Sequence, residues 1–293
     1  MSDPSRTGLA ERLGRLDRRW LYLVLLVAVG VSVVLRPLFP DQPSVFVRPV
    51  FERIERLEPG QSVLVSLDYS PVSAPEIEPM AFAITRHVLL RGAHPVFVTL
   101  FPEGPAMYER LRVEVLERDF PELVAGRDWT MLGYKAGGRM VINAMRQEMA
   151  AMFAGDAEGR RLGDLPGLRG YRRLGDFPLV VSLSSGTPGL KEWILYGGDP
   201  SGVPVVGGCT GIGTPEYLAY FPSQLQGILG GLKGASEYEA ALADRHPGAG
   251  FPRRAGRVMG PQTVAHVVIL LFLVLGNVAY LRRPGRRQPE ERP

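Results

Sequence analysis

The central part of the chain alternates short apolar runs with amphipathic stretches. Residues 62–69 place Val63, Val65 and Leu67 on one side of an extended segment, with smaller residues between them, which predicts a strand. Residues 77–92 repeat apolar side chains at helical spacing and predict a helix. Runs of the first kind predict further strands over 95–101, 128–134, 177–186 and 203–209. Stretches of the second kind predict further helices over 106–119, 139–153, 189–198 and 223–243.

This order of elements predicts the fold class. Strands that alternate with helices form a parallel sheet covered on both faces. We therefore expect a Rossmann-like three-layer α/β domain over residues 43–244, with a mostly parallel sheet of about five strands. Residues 154–176 are rich in Gly and Arg and predict an irregular surface excursion of this domain, and residues 245–261 predict a linker.

Two uncharged apolar segments, 20–35 and 264–281, flank the domain. A bilayer core needs about 20 apolar residues. The first segment reaches that length if it continues to residue 39 and Arg36 extends its charge toward the head groups. We therefore predict transmembrane helices over 20–39 and 262–281, which makes the protein a double-pass membrane protein.

Each segment has a soluble alternative. The first could be a cleaved signal peptide because basic residues precede it, but no A-x-A-like cleavage site follows it. The second could be a buried core helix, but Arg282, Arg283, Arg286 and Arg287 end it as basic membrane anchors do.

The positive charge of the chain belongs to its tails. The net charge is +4, the predicted basic tails 1–19 and 282–293 carry +2 and +3, and the remainder therefore carries −1. A nearly neutral domain lacks the basic surface that nucleic acids require. The arginine excess in the tails predicts cytoplasmic termini and an extracytoplasmic domain. Because that rule is strongest for short loops, a cytoplasmic domain remains the alternative.

The predicted strands end in segments that combine hydroxyl or small residues with proline. Ligands of parallel α/β sheets bind at this edge. Thr187 and Thr214 each precede a proline, which predicts two helix N-caps. The glycines at 207–213 match neither G-x-G-x-x-G nor G-x-x-x-x-G-K-[ST], so we interpret them as a turn before a helix. The alternative is an anionic ligand shared by the two helix starts.

Other residues at the same edge could carry chemistry. Asp68 with Glu76 or Glu78 could form a carboxylate pair, or these residues could serve a turn and a helix start. Lys135 could bind an anion or be a solvated loop lysine. The candidate ligand-binding residues are Asp68, Glu76, Lys135, Ser185, Thr187, Thr210 and Thr214.

No catalytic residue or cofactor can be assigned from a motif. No G-x-S-x-G turn surrounds Ser184 and Ser185, and we interpret the single cysteine, Cys209, as a packing residue. The histidines show no metal-ligand spacing with another His or Cys, so we expect no metal site. They are His87, His94, His246 and His266.

Small and polar residues predict sites of helix packing. Glycines in the predicted last helix suggest a close backbone approach to the sheet, to another helix or to another subunit. They are Gly227, Gly230, Gly231 and Gly234. His266 and Asn277 are eleven residues apart and share one face of the second apolar helix, where polar groups favour a partner helix.

Three stretches, LDYSPVSAPEIEPMAFAITRHVL, LGYKAGGRMVI and QLQGILGGLKGASEYE, resemble a family of uncharacterised bacterial and archaeal membrane-anchored proteins. The resemblance implies that domain and anchors form one unit, and it implies no activity. Two functional hypotheses follow. The first is a membrane-anchored scaffold or assembly component that binds itself or other membrane proteins. The alternative is an extracytoplasmic sensor or enzyme for a small polar or anionic metabolite.

Overall fold

The structure, a computed structural model, describes residues 17–35, 37–38 and 41–281. Most of the predicted basic tails, together with Arg36 and Phe39, lies outside the described residues. The central unit comprises Pro40–Gly256, and the apolar helices belong to a second unit formed by the terminal segments.

The central unit contains a sheet of six parallel strands in the order β3-β2-β1-β4-β5-β6. Every pair of neighbouring strands is parallel. The strands are β1 (Ser62–Asp68), β2 (His94–Thr99), β3 (Thr130–Tyr134), β4 (Val180–Ser184), β5 (Val205–Cys209) and β6 (Ile228–Gly230). The predicted α/β fold with a parallel sheet is confirmed.

Helices connect the strands and cover both faces of the sheet. A π-helical turn, Arg112–Glu117, continues the helix that ends at Leu111, and a second, Trp193–Gly198, joins the short helices Leu190–Glu192 and Asp199–Ser201. The helices are α1 (Arg18–Leu35), α2 (Val47–Glu55), α3 (Ala74–Leu90), α4 (Gly104–Leu111), α5 (Arg139–Gln147), α6 (Leu190–Glu192), α7 (Asp199–Ser201), α8 (Thr214–Leu218), α9 (Gly231–Arg245) and α10 (Arg254–Leu281).

Strand β1 shows how the sheet separates two apolar cores. Val63 and Val65 pack into the core formed with α2, α3, α4 and α9. Leu64 packs into the opposite core, formed with α5, the second π-helical turn and α8. Successive side chains of a strand point to opposite faces, so one strand contributes to both cores.

The segment 154–176 is irregular, as predicted, but it is more than a surface excursion. Its leucines Leu165, Leu168 and Leu174 are buried in the second core. Tyr171 accepts a hydrogen bond from the backbone N–H of Ser62 through its hydroxyl at 2.8 Å, which attaches the segment to the start of β1. The sequence pattern did not predict these contacts because the leucines stand singly among Gly and Arg residues.

The prediction of one helix over 223–243 was wrong. A three-residue strand, β6, comes first, and α9 begins at Gly231, whose φ of +56° favours glycine. Gly227 precedes β6, where a Cβ atom would lie 2.9 Å from the backbone nitrogen of Val50. Gly230 ends β6, so these glycines belong to three different local structures rather than one helix face.

Gly234 allows a test of this close packing. A Cβ atom at Gly234 would lie 2.9 Å from two backbone atoms of Leu229. We expect Gly234→Ala to lower the free energy of unfolding by about 1–2 kcal/mol, because overpacking outweighs the gain in helix propensity. Urea unfolding of the full-length protein in detergent measures the effect. Gly248→Ala, where no atom lies within 4 Å, is the matched control, and equal effects of the two variants would contradict the prediction.

The helices α1 and α10 are each long and apolar enough to cross a membrane, judged by length and composition. Helix α10 begins at Arg254, eight residues before the predicted start at 262, so the predicted linker is shorter than expected. Within the terminal unit, a Cβ atom at Gly260 would lie 2.2 Å from the carbonyl oxygen of Pro37, so this glycine permits a close backbone approach.

Candidate functional site

The order of the strands places a crevice at their carboxyl ends. Connections lead outward in opposite directions from β1 and β4, and ligands of open α/β sheets bind where this direction reverses. The loops that follow β1, β3, β4 and β5 line this edge. We call it the rim.

Asp68, at the end of β1, is fully buried rather than open to the rim. Its Oδ1 accepts a hydrogen bond from the backbone N–H of Leu100 at 2.7 Å, and its Oδ2 accepts from Ser66 Oγ at 2.5 Å and Trp193 Nε1 at 3.0 Å. The backbone N–H of Ser185 donates to the Asp68 carbonyl. Burial raises the pKa of Asp68 to about 6, so the carboxylate is ionised at neutral pH. Its oxygens hold β1, β2 and the second π-helical turn together.

The sequence predicted a carboxylate pair of Asp68 with Glu76 or Glu78, but each of these residues bonds to different partners. Glu76 Oε2 accepts a hydrogen bond from the backbone N–H of Gly211 at 2.8 Å. Glu78 forms an ion pair with Arg110 at 2.6 Å. Among the residues that the structure describes, the Asp68 carboxylate bonds only to Ser66, Leu100 and Trp193. Each of these carboxylates is therefore held by contacts within the domain.

Neither predicted threonine N-cap is observed. Helix α6 begins at Leu190 and has Gly189 as its N-cap, so Thr187 lies outside the helix and is exposed. Helix α8 begins at Thr214 and has Gly213 as its N-cap. Glycine thus occupies both cap positions. Pro215 lies in the first turn of α8, one position later than predicted, whereas Pro188 precedes α6.

The remaining predicted rim residues also make contacts within the domain. The Thr214 hydroxyl donates to the Thr210 carbonyl at 3.0 Å, and Thr210 Oγ1 accepts from the backbone N–H of Gly213 at 3.3 Å. Lys135 is exposed, and its Nζ lies 5.6 Å from the ring centroid of Phe153. The candidate residues surround one edge of the sheet, but many of their polar groups bond to the protein itself.

Cys209 is buried at the end of β5, in agreement with a packing role. Its Sγ lies 3.5 Å from Thr214 Oγ1. Burial raises the pKa of the Cys209 thiol to about 11, so the thiol stays protonated at neutral pH. A protonated, buried thiol is a poor nucleophile.

Three apolar side chains project from the rim, and the sequence reasoning missed them. Val72, after β1, is 92% exposed, and Ile212, after β5, is 94% exposed. Met140, at the start of α5, is 73% exposed. The hydrogen bond between Glu76 and Gly211 links the first turn of α3, which follows the Val72 loop, to the loop of Ile212. We call Val72, Ile212 and Met140 the rim tips.

A second group of polar residues, the Glu55 cluster, lies at the ends of α2, α3 and α9. It consists of Glu55, His87, Tyr238, Arg245 and His246. His87 Nε2 lies 2.8 Å from Glu55 Oε2, and His87 Nδ1 lies 2.7 Å from the Tyr238 hydroxyl. Sequence spacing could not reveal this cluster because its members come from distant helices.

The charges in the Glu55 cluster are those of a carboxylate beside a neutral imidazole. Burial lowers the pKa of His87 to about 4, against the opposing effect of Glu55. Burial would raise the pKa of Glu55, but hydrogen bonds from His87 and Arg245 lower it to about 2. Glu55, His87 and His246 each offer one ligand atom, and these atoms lie within 4.8 Å of one another, so this is a candidate metal-binding group.

Comparisons with known proteins add no functional information. The chain matches no protein-family model, and searches of curated proteins and of solved structures gave no match. The family resemblance stated from the sequence remains a prediction. The class of protein is therefore defined by its architecture, which is a parallel α/β domain with two apolar terminal helices.

Proposed function

We propose that the protein is a membrane-anchored assembly component whose α/β domain associates with a second copy of itself through the rim tips. The exposure of Val72 and Ile212 on two connected loops carries this proposal. Isolated exposed apolar side chains are common, but two of them at the tips of neighbouring loops form a surface suited to contact.

The expected contact energy is modest. Full burial of a Val or Ile side chain stabilises by about 1.5–3 kcal/mol. A two-fold symmetric contact would bury Val72 and Ile212 of both copies, because each copy presents the same surface. Confinement of both copies to one membrane raises their effective concentration, which favours a contact that is weak in solution.

Charge and the apolar helices are compatible with association. Residues 20–281 carry a net charge of −1, so two domains would not repel each other strongly. In α10, Asn277 Nδ2 donates to the Leu273 carbonyl at 3.0 Å, and His266 lies on the same helix face. In a bilayer, such polar groups favour contact with another helix.

The internal contacts of the rim favour assembly over the alternative of a sensor or enzyme. A binding site for a small polar metabolite needs polar groups that point into a pocket. Asp68, Glu76, Thr210 and Thr214 instead use their side chains to hold the rim together. A rigid rim with apolar tips suits a protein partner better than a charged metabolite.

We further propose that both helices cross the cell membrane, with cytoplasmic termini and an extracytoplasmic domain. Glu158 is exposed, whereas Cys209 is buried and should not react. A Glu158→Cys variant should therefore react with a membrane-impermeant maleimide in intact cells. Labelling that occurs only after lysis would contradict this orientation and indicate a cytoplasmic domain.

The double variant Val72→Asp/Ile212→Asp tests the proposed self-association. We expect the wild-type protein to be a dimer or larger oligomer in nanodiscs or mild detergent, and the double variant to be monomeric, because association would bury four carboxylates. Light scattering coupled to size-exclusion chromatography measures the mass.

The matched control is Val124→Asp, which places a carboxylate on an exposed valine before β3, at the opposite edge of the sheet. This variant should associate as the wild type does. A monomeric wild type, or equal masses for the wild type and the double variant, would overturn the proposal. Capture of a different protein by a monomeric wild type would instead indicate a heterologous partner.

A further inference from the structure

Three potential metal ligands converge at the ends of three helices. Glu55 is the last residue of α2, His87 lies in the last turn of α3, and His246 directly follows α9. We propose that these three residues bind a Zn²⁺ ion, with a fourth coordination position open to water or a small ligand. This site is separate from the rim and is independent of self-association.

The two oxygens of Glu55 face different partners. Oε1 accepts a hydrogen bond from Arg245 Nε at 2.8 Å, and Arg91 lies 4.0 Å from the same oxygen. Oε2 faces His87 Nε2 at 2.8 Å and His246 Nε2 at 3.5 Å. The cationic groups therefore neutralise one oxygen, while the other oxygen and two imidazoles surround a common point. Carboxylate ligands of metals are commonly held by such a hydrogen bond on their second oxygen.

Tyr238 gives His87 the support that a ligand imidazole requires. Metal-binding histidines usually donate their other ring N–H to an oxygen, which fixes the ring orientation. His87 Nδ1 lies 2.7 Å from the Tyr238 hydroxyl. Without metal, His87 carries its proton on Nε2 and donates it to Glu55. With metal on Nε2, the proton resides on Nδ1 and is donated to Tyr238, so binding needs a change of tautomer together with small side-chain movements.

His246 supplies a free ligand atom and a route to solvent. Its Nε2 is buried and forms no hydrogen bond with any residue that the structure describes. A buried polar atom without a partner is costly, and a metal ion would satisfy it. His246 also lines a cavity of about 70 Å³ between α3, α9 and the segment 247–253. Glu55 and His87 do not line this cavity, so solvent reaches the proposed ion along the partly exposed His246.

The donor set favours Zn²⁺ over harder cations. Two imidazole nitrogens and one carboxylate oxygen, with an open fourth position, are typical of zinc sites, whereas Ca²⁺ and Mg²⁺ prefer oxygen ligands. Tetrahedral Zn²⁺ with bonds of 2.0–2.1 Å separates its ligand atoms by about 3.3 Å. The observed separations from Glu55 Oε2, 2.8 and 3.5 Å, bracket that value. Small side-chain movements would complete the geometry.

The test is isothermal titration calorimetry. The full-length protein is treated with a chelator, kept in detergent and titrated with ZnCl₂. We expect one Zn²⁺ ion per chain and a Kd at least ~100-fold higher for His246→Gln than for the wild type, because this variant removes a ligand. His246 is partly exposed, so the variant should fold. Co²⁺ should give the strong visible absorption of a tetrahedral site in the wild type and lose it in the variant.

His266→Gln is the matched control, since it removes a histidine of α10 that lies outside the cluster. It should bind Zn²⁺ as the wild type does. If the wild type binds no stoichiometric Zn²⁺, or if His246→Gln binds it as tightly as the wild type, the Glu55 cluster is only an ion-pair network.

Discussion

Replacement of Asp68 by alanine is expected to lower the free energy of unfolding by about 3–5 kcal/mol. The substitution leaves three buried donors, from Ser66, Leu100 and Trp193, without their acceptor. Each orphaned donor costs about 1–3 kcal/mol, although such costs are not simply additive. Urea unfolding of the full-length protein in detergent, followed by circular dichroism, measures the loss. A loss below about 1 kcal/mol would contradict a structural role for this carboxylate.

The pH dependence of stability provides a second measurement on Asp68. Burial raises its pKa from 3.8 to about 6, so the folded state binds the proton more tightly than the unfolded chain. The stabilisation that comes from this tighter proton binding is present below about pH 4 and is lost as the pH rises through about 6. Asp68→Asn cannot titrate. From pH 4 to pH 6, the wild type should therefore lose about 2 kcal/mol relative to Asp68→Asn. A constant difference between the two proteins would exclude a raised pKa.

Asp119→Ala is expected to have an effect of similar size, because it leaves a buried charge unpaired. The Arg86 side chain is almost fully buried, and its Nε lies 2.7 Å from Asp119 Oδ2. Removal of one member of a buried ion pair costs about 3–5 kcal/mol. The guanidinium also lies 5.2 Å from the ring centroid of Phe251, so rings surround the charge where water would otherwise solvate it.

Two further variants separate the charge effect from general damage. The double variant Arg86→Met/Asp119→Ala should recover part of the loss, because no unpaired charge remains. Arg56→Ala removes an exposed partner of Glu52, and its effect should stay below about 1 kcal/mol. If Asp119→Ala were no more destabilising than Arg56→Ala, the Arg86 pair would not be a significant stabilising interaction.

The hydrophobic pattern was sufficient to predict the sheet but not its last strand. Alternation and helical spacing identified β1 to β5 because each has a run of apolar residues between polar loops. Strand β6 has three residues and continues directly into α9 through Gly231. Three residues are too few to show the alternation of a strand, so the helical spacing of α9 led to the prediction of one helix over the whole segment.

Tertiary contacts explain why the sites were harder to predict. The carboxyl-end rule located the rim, but the sequence could not indicate that Asp68 faces Trp193, which lies 125 residues away. The Glu55 cluster likewise depends on the packing of three helices. Spacing rules detect ligands that lie on one local element, so they could not detect Glu55, His87 and His246. The sequence does not show which loop residues are exposed, so apolar residues such as Val72 could be recognised only from the structure.

Cysteine cross-linking in native membranes tests the proposed rim contact most directly. Cys209 is the only cysteine and is buried, so single Val72→Cys and Ile212→Cys variants carry one reactive thiol each. With a short bis-maleimide, both variants should form covalent dimers, whereas Val124→Cys at the opposite edge of the sheet should remain monomeric. Absence of dimers from both rim variants, or equal cross-linking of Val124→Cys, would contradict self-association through the rim.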